Sequence, residues 1–317
     1  MEAPDAVFEL GLNHLGDVTR ARHMIDTLRA QGATHITIQA AIDFSTTTRD
    51  IATIQKVQPN CLSLEEVVAV IEHGREAGAT MGVAILDPNH VETFVKAGAT
   101  FFKILSSDLS YVPLHRAVAR TQLPCYLSTG LATVEDIKSA IAFIREEAPS
   151  ADVRLIHTVL QIPTPVAMLN LNNITSLKQT FKVPVAYGQH SDVHEALPVA
   201  VAQGAETVFV YVADERSPLL PDGPHAILCS DAGALLQELS QVRVMMGSLE
   251  RTLTPEEQTK RISLRRSIVA ATPIASGEII TAGKIAYKRP GTGLPPADSS
   301  KVIGTVAKKD YKQDEDI

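Results

Sequence analysis

The sequence predicts an α/β protein, a (β/α)8 barrel followed by a small β-rich module, and three observations carry that expectation. Over the first 250 residues, eight short apolar runs alternate with longer amphipathic stretches, the rhythm of βα units. Four strands follow a helix that ends in a Gly-Ala pair, at Gly32-Ala33, Gly78-Ala79, Gly98-Ala99 and Gly204-Ala205, and glycine supplies the left-handed turn that closes a helix. Beyond that region the chain changes to short β-type runs broken by Pro and Gly.

The strands read from periodicity are 6–12, 34–40, 79–86, 100–105, 124–129, 153–159, 184–189 and 206–212. Helical patterns lie between them. One spans 17–31, with Asp17 as N-cap and Gly32 as its stop. A second, 63–77, opens on Ser63, Glu65 and Glu66 and ends at Gly78. A third, 133–147, has Thr133 and Asp136 in capping-box spacing. Eight such units suit a (β/α)8 barrel. A doubly wound open sheet is the alternative, but no GxGxxG follows the first strand. The barrel is expected to occupy 1–250 and to close with a helix over 232–249. Residues 251–264, polar and basic, read as a linker, and 265–317 as the second domain, with β-type runs at 267–270, 279–280 and 302–306.

The 317 residues are 45% hydrophobic and 21% charged, which is globular composition with enough apolar mass for a core. Lys and Arg total 29 against 36 Asp and Glu, a formal charge of −7, which argues against a nucleic-acid or anionic-membrane binder. An anionic ligand would need cations gathered in one pocket. Aromatics are 4% and Trp is absent, so stacking platforms for single strands are not expected. Cys61, Cys125 and Cys229 form no CxxC pair, which points to a reducing cytoplasm. The opening MEAPDAVFEL has no basic, apolar leader pattern, and no run approaches the roughly 20 apolar residues of a membrane span.

In such a barrel the chemistry sits at the C-terminal ends of the strands. That rule nominates Glu9, Asn13 and His14, then Gln39, Asp87, Lys103, Ser106, Ser107 and Asp108. Further along it nominates Ser128, Thr129, Gly130, His157, Tyr187, Gln189, His190, Tyr211, Asp214, Asp222 and His225. Each has an ordinary reading beside the functional one. Lys103 lies inside the apolar run FFKIL, where an inward ammonium calls for a phosphate or carboxylate. A surface lysine is the plain alternative and a Schiff base the sharper one. Ser128-Thr129-Gly130 before a helix start suits a phosphate, or is simply a turn and cap. His190 is a metal ligand, an acid-base group or a structural histidine. His157, in LIHTV, reads as core, and His225, in a Pro/Gly loop, as surface. Glu9, in FELGL, must be paired or functional, since a lone buried carboxylate is costly.

These residues sit in motifs that resemble the sialic acid synthase (N-acetylneuraminate synthase) family across nearly the whole chain. FELGLNHLGD is similar to the family's A-E-I-G-x-N-H-x-G-D, FFKILSSDL to its Y-K-I-x-S run, and LSTGLATVEDI to its S-T-G-M-A-T run. IPTP, PVAYGQHSD and GPH follow in family order. RRSIVAATPI, SGEIIT and KRPGTGLPP resemble its antifreeze-like (SAF) domain.

The resemblance implies a barrel that condenses phosphoenolpyruvate with an N-acetylated hexosamine to form a nonulosonic acid. It also implies a divalent metal, Mn or Mg, and a domain-swapped homodimer in which each tail closes its partner's site. It assigns a catalytic role to Glu9, sets His225 at a catalytic position, and gives phosphoenolpyruvate binding to Lys103, Ser106 and Ser128. Asn13, Gln39, Thr129, Gly130, Tyr187 and Arg289 fall to substrate binding and His190 to the metal, with His225 expected beside it as a replacement nitrogen ligand.

The chain also departs from the pattern. Thr37 stands where the family has a lysine, and Tyr211 where it has the second metal histidine. Leu160 and Ile162 replace an asparagine and a tyrosine. Gly188 and Gln189 replace a serine and an aspartate, and His225 stands for a catalytic aspartate. An impaired homologue that binds sugar or pairs with an active synthase is therefore a second expectation.

Overall fold

The computed structural model describes residues 5–317; the first four residues of the barrel domain lie outside the described residues. The chain divides into two compact units, Met1–Gly247 and Ser248–Ile317.

In the first unit eight parallel strands pair in sequence order, and β1 closes on β8. They are β1 (Ala6–Glu9), β2 (His35–Ala40), β3 (Thr80–Ile85), β4 (Phe101–Ile104), β5 (Cys125–Ser128), β6 (Val153–His157), β7 (Val185–Gly188) and β8 (Val208–Ala213). A two-residue β9 (Ile227–Leu228) adds to β8. The fold is the expected (β/α)8 barrel. Around it run α1 (Val18–Ala30), α2 (Ile51–Val57), α3 (Leu64–Glu76), α4 (Val91–Ala97) and α5 (Val112–Arg120). The ring is completed by α6 (Val134–Glu147), α7 (Asn172–Phe181), α8 (Ala196–Ala202) and α9 (Ala232–Met246).

The helix starts follow their local chemistry. Asp17 accepts from the amides of Thr19 (2.7 Å) and Arg20 (3.1 Å), and both Ser63 with Glu66 and Thr133 with Asp136 form complete capping boxes. At Gly98 the backbone turns left-handed (φ +105°) to leave α4, a conformation that only glycine adopts cheaply. The main core lies between strands and helices, with Phe8, Phe94, Phe102 and Tyr187 among its largest fully buried side chains.

The second unit is built on β10 (Ser267–Ala270), antiparallel to β11 (Ile285–Lys288), over a core of Ile268, Ala270, Ile274, Ile280, Ile285, Val302 and Ala307. The segment read as a linker instead holds α10 (Pro255–Leu264), opened by a capping box of Thr254 and Glu257 and tied to the tail by the Gly291 amide on the Ile262 carbonyl (2.7 Å). Its side chains are exposed, so no apolar stripe marks it in the sequence. The expected run 302–306 is also different. Val302 ends the short helix α11 (Ser299–Val302), and only Val306 bridges Ile279. No helix among the described residues is long and apolar enough to cross a membrane.

Candidate active site

Alternation along the strands builds the site in layers. Val7, Phe101, Tyr126, Ile156, Ala186 and Phe209 pack together inside the barrel. Tyr126 meets Phe101 and Phe209 edge-to-face, with centroids 5.6 Å and 5.0 Å away. Two residues further along each strand, the same face carries Glu9, Lys103, Ser128, Thr158, Gly188 and Tyr211. A polar layer at the C-terminal ends therefore rests on an aromatic floor.

Lys103 and Glu9 form an ion pair within that layer, their side chains only 5% and 4% exposed. The ammonium also lies 5.3 Å from the Phe209 ring centre and 5.6 Å from that of Tyr211. In the ladder Glu9 stands between Thr37 on β2 and Tyr211 on β8. Its two strand neighbours are thus two of the positions that depart from the family pattern, and Lys103 is its cation.

Above the pair opens a cavity of about 160 Å3, whose lining includes Gln39, Lys103, Ser106, Ser128, His190 and Tyr211. The Ser128 hydroxyl is buried there with no protein partner, so a ligand can take it. Ser106 accepts from the Gly130 amide (3.0 Å), and a Cβ at Gly130 would meet the Ser106 hydroxyl at 2.8 Å and Leu160 at 2.9 Å. The loop after β5 can approach β4 only because that residue is glycine.

His190 is held from behind. Its Nδ1 lies 2.9 Å from the Thr158 hydroxyl and 3.0 Å from the Val159 carbonyl, while Thr158 donates to the Gly188 carbonyl (3.0 Å). A carbonyl only accepts, so the proton belongs on Nδ1 and the lone pair on Nε2. The His225 ring stands perpendicular to His190 with centroids 5.4 Å apart, and 4.9 Å from Tyr211; both of its nitrogens are buried without partners. Burial pushes His190 down to about 4. Burial, then His190 and Lys103, pushes His225 to about 3. Both rings are neutral at pH 7.

Asp222 lies against the Gly11–Leu12 backbone that follows β1. Its carboxylate accepts from the Leu12 amide (3.3 Å), and burial, reinforced by Glu9, raises it to about 6. Gly11, at φ +54°, passes so close that a Cβ would sit 2.3 Å from the Asp222 carboxylate and 2.9 Å from the Tyr211 ring.

Not every expected residue joins this site. Tyr187 points away from the barrel axis into the core between strands and helices, because Ala186 and Gly188 hold the inward positions of β7. The Thr129 hydroxyl is committed to the Ile156 carbonyl (2.9 Å). The Gly130 amide is likewise spent on Ser106. Asn13 is wholly buried, donating to the Val212 carbonyl (2.8 Å) and accepting from the Asp222 amide (2.9 Å), so it braces a loop. Arg289 belongs to the second unit and is exposed there. His157 bonds the Leu169 carbonyl (2.8 Å) as a core histidine, but His225 is buried in the mouth rather than on the surface. Thr158, which orients His190, was not singled out. Its position two residues past Ile156 in VRLIHTV is the signal that finds it.

Among the described residues, no group of three or more His, Cys, Asp or Glu converges to hold a metal through protein donors alone. The donors that fit one are the Nε2 of His190, oriented by its Nδ1 bonds, and the unpartnered His225 ring. Such a pair leaves the remaining positions to water and substrate.

A model of the NeuB family matches residues 11–251, and one of the SAF domain matches residues 265–315. An uncharacterized protein of Methanocaldococcus jannaschii is 31% identical over 98% of this chain and 92% of its own length. The N,N'-diacetyllegionaminic acid synthase of Campylobacter jejuni is 27% identical over 98% of this chain and 97% of its own. The crystal structure of N-acetylneuraminic acid (sialic acid) synthetase from Leptospira borgpetersenii, in complex with citrate, superposes with a TM-score of 0.76. Its identity is 25%, over 81% of this chain and 90% of that one. With the family match spanning most of the barrel, the chain belongs to the NeuB family and carries a SAF domain after its barrel.

Proposed function

We propose that the protein is a nonulosonic acid synthase, condensing phosphoenolpyruvate with an N-acetylated hexosamine. The observation that carries this reading is Lys103, a buried ammonium beside the unpartnered Ser128 hydroxyl in a small cavity at the barrel mouth. Relatives named for legionaminic and sialic acid synthesis support the reaction class.

In this reading the phosphate takes Lys103 and the Ser128 hydroxyl, exchanging one carboxylate, Glu9, for another anion on the same ammonium. C3 of phosphoenolpyruvate forms a bond to the aldehyde carbon of the open-chain sugar, and the aldehyde oxygen takes up a proton. Water adds to the cation left at C2, and the C2–O bond breaks to release phosphate. In this reading Glu9, freed from its ion pair with Lys103, takes the proton of that water, and Gln39, on the cavity wall, orients the hydroxyls beside it. His190 and His225 would hold a divalent metal, whose chemistry when bound is polarisation of a carbonyl. A homodimer in which Arg289 serves the partner's sugar belongs to the same reading and rests on the family resemblance.

The test is phosphate release from phosphoenolpyruvate with N-acetylated hexosamines, followed by mass detection of the nine-carbon acid. We expect turnover in the wild type and none in Lys103→Ala, with metal content falling in His190→Ala and His225→Ala. No product with any acceptor would favour the second reading, an impaired homologue, which Thr37 and Tyr211 on either side of Glu9 support.

A further inference from the structure

Beside the mouth, the first unit carries a larger cavity of about 590 Å3 among the loop after β7, the loop after β8 and helix α9. That volume falls within the range of small-molecule sites, and it is far more than one buried water needs. On its wall sits Gln189, a side chain 3% exposed. Its Nε2 donates to the Val193 carbonyl (2.9 Å), which fixes the amide orientation, and its Oε1 is buried with no partner. An orphaned buried acceptor is unfavourable unless a donor reaches it. A ligand seated against this wall can meet that acceptor with an N–H or O–H.

The walls say what else it carries. Asp192, Asp231 and Glu238 line the cavity. Asp231 is paired with Arg216 (3.0 Å) and Glu238 with His194 (2.6 Å), whereas Asp192, also on the wall, has no ion pair among the described residues. With Glu215 the wall carries four carboxylates to the single guanidinium of Arg216, so anions are disfavoured. Leu197 and Leu235 add apolar wall for the C–H faces of a ring.

We propose that this lateral cavity is a second binding site, for a compact polyhydroxylated ligand that is neutral or carries an amine, with Gln189 Oε1 accepting from it and Asp192 facing its positive charge. The site does not depend on the condensation reading, because it is read by binding rather than by turnover.

Calorimetric titration of the full chain with glucosamine, a protonated hexosamine, and with gluconate, an anionic polyol of similar size, tests it. Saturable binding of glucosamine and none of gluconate is expected. Ala234→Phe, which projects a ring into the cavity from α9, should weaken glucosamine at least tenfold. Asp192→Asn, at an exposed position that leaves the fold intact, should weaken it at least threefold. Gln189→Met should also lose affinity, and Lys103→Ala should bind glucosamine as the wild type does. Wild-type affinity in both Ala234→Phe and Asp192→Asn overturns the proposal. So does loss of binding in folded Lys103→Ala, or equal binding of gluconate.

Discussion

At the residue scale the site turns on one ion pair. Glu9 and Lys103 are both buried, so each makes the other tolerable, and breaking a buried pair by removing one partner costs about 3–5 kcal/mol. Glu9→Gln and Lys103→Met should each lose about that much in urea denaturation. The double variant, which buries no lone charge, should recover at least half of it. Single variants within about 1 kcal/mol of wild type would show that the pair is solvated after all. The pair also competes with the substrate in the proposed function. Glu9→Gln frees Lys103, and one charge-assisted bond is worth about 1.5–3 kcal/mol. Phosphoenolpyruvate should then bind about tenfold more tightly to Glu9→Gln by calorimetry, while turnover falls. Weaker binding would mean that Glu9 itself helps to hold the anion.

At the element scale, what was legible was local. Asp17, Ser63 and Thr133 announce α1, α3 and α6 because a cap acts within three residues of itself, and all three caps are present in the structure. Lys103, Ser106, Ser128, Gln39 and His190 were legible for a similar reason, since a strand's C-terminal end can be read from its own apolar run. Thr133→Ala removes the hydroxyl that accepts from the Asp136 amide and donates to its carboxylate, leaving the Thr133 amide bond to Asp136 in place, and should cost about 1 kcal/mol by chemical denaturation. It should leave phosphate release unchanged, because the cavity hydroxyl belongs to Ser128 on β5. A loss of turnover at full stability would tie the helix start to the anion instead. The misses were non-local. Whether Tyr187 faces the axis or the helices depends on the phase of β7 against β6 and β8, which its own run does not reveal. His225 looked exposed in its Pro/Gly loop, and only the return of that loop over β8 buries it against Tyr211. Helix α10 carries no repeating apolar face, its Ile262 and Leu264 lying together and exposed in the last turn, so only its capping box of Thr254 and Glu257 announces it.

At the scale of the whole molecule, these buried imidazoles set how stability responds to acid. His14, wholly buried, is driven to about 4 by burial, alongside His190 at about 4 and His225 at about 3. An unfolded histidine takes its proton near 6.5, so below that pH the unfolded chain binds protons that the native chain refuses, and stability is lost as pH falls. Asp222 works in the opposite direction. Raised to about 6, it holds a proton in the native chain between roughly pH 4 and 6 that the unfolded chain has released, which offsets one histidine. Between pH 6 and 4 these four groups leave a net of two extra protons on the unfolded state. At about 1.4 kcal/mol per proton and pH unit, these four groups contribute a limiting slope of about 2.7 kcal/mol per unit, and burial of His35, His115 and His157 acts in the same direction, with the protein less stable towards acid. The pH series is best run in urea with a chelator present, so that no metal competes for the imidazoles. His14→Asn keeps an acceptor for the Gly16 amide, which His14 Nδ1 receives at 3.1 Å, but removes one titrating ring. Its slope over the same window should be lower than that of the wild type by up to about 1.4 kcal/mol per unit, so the two stability curves should converge as the pH falls. Parallel curves would mean that His14 is already protonated in the folded chain, with a counter-charge at its buried Nε2.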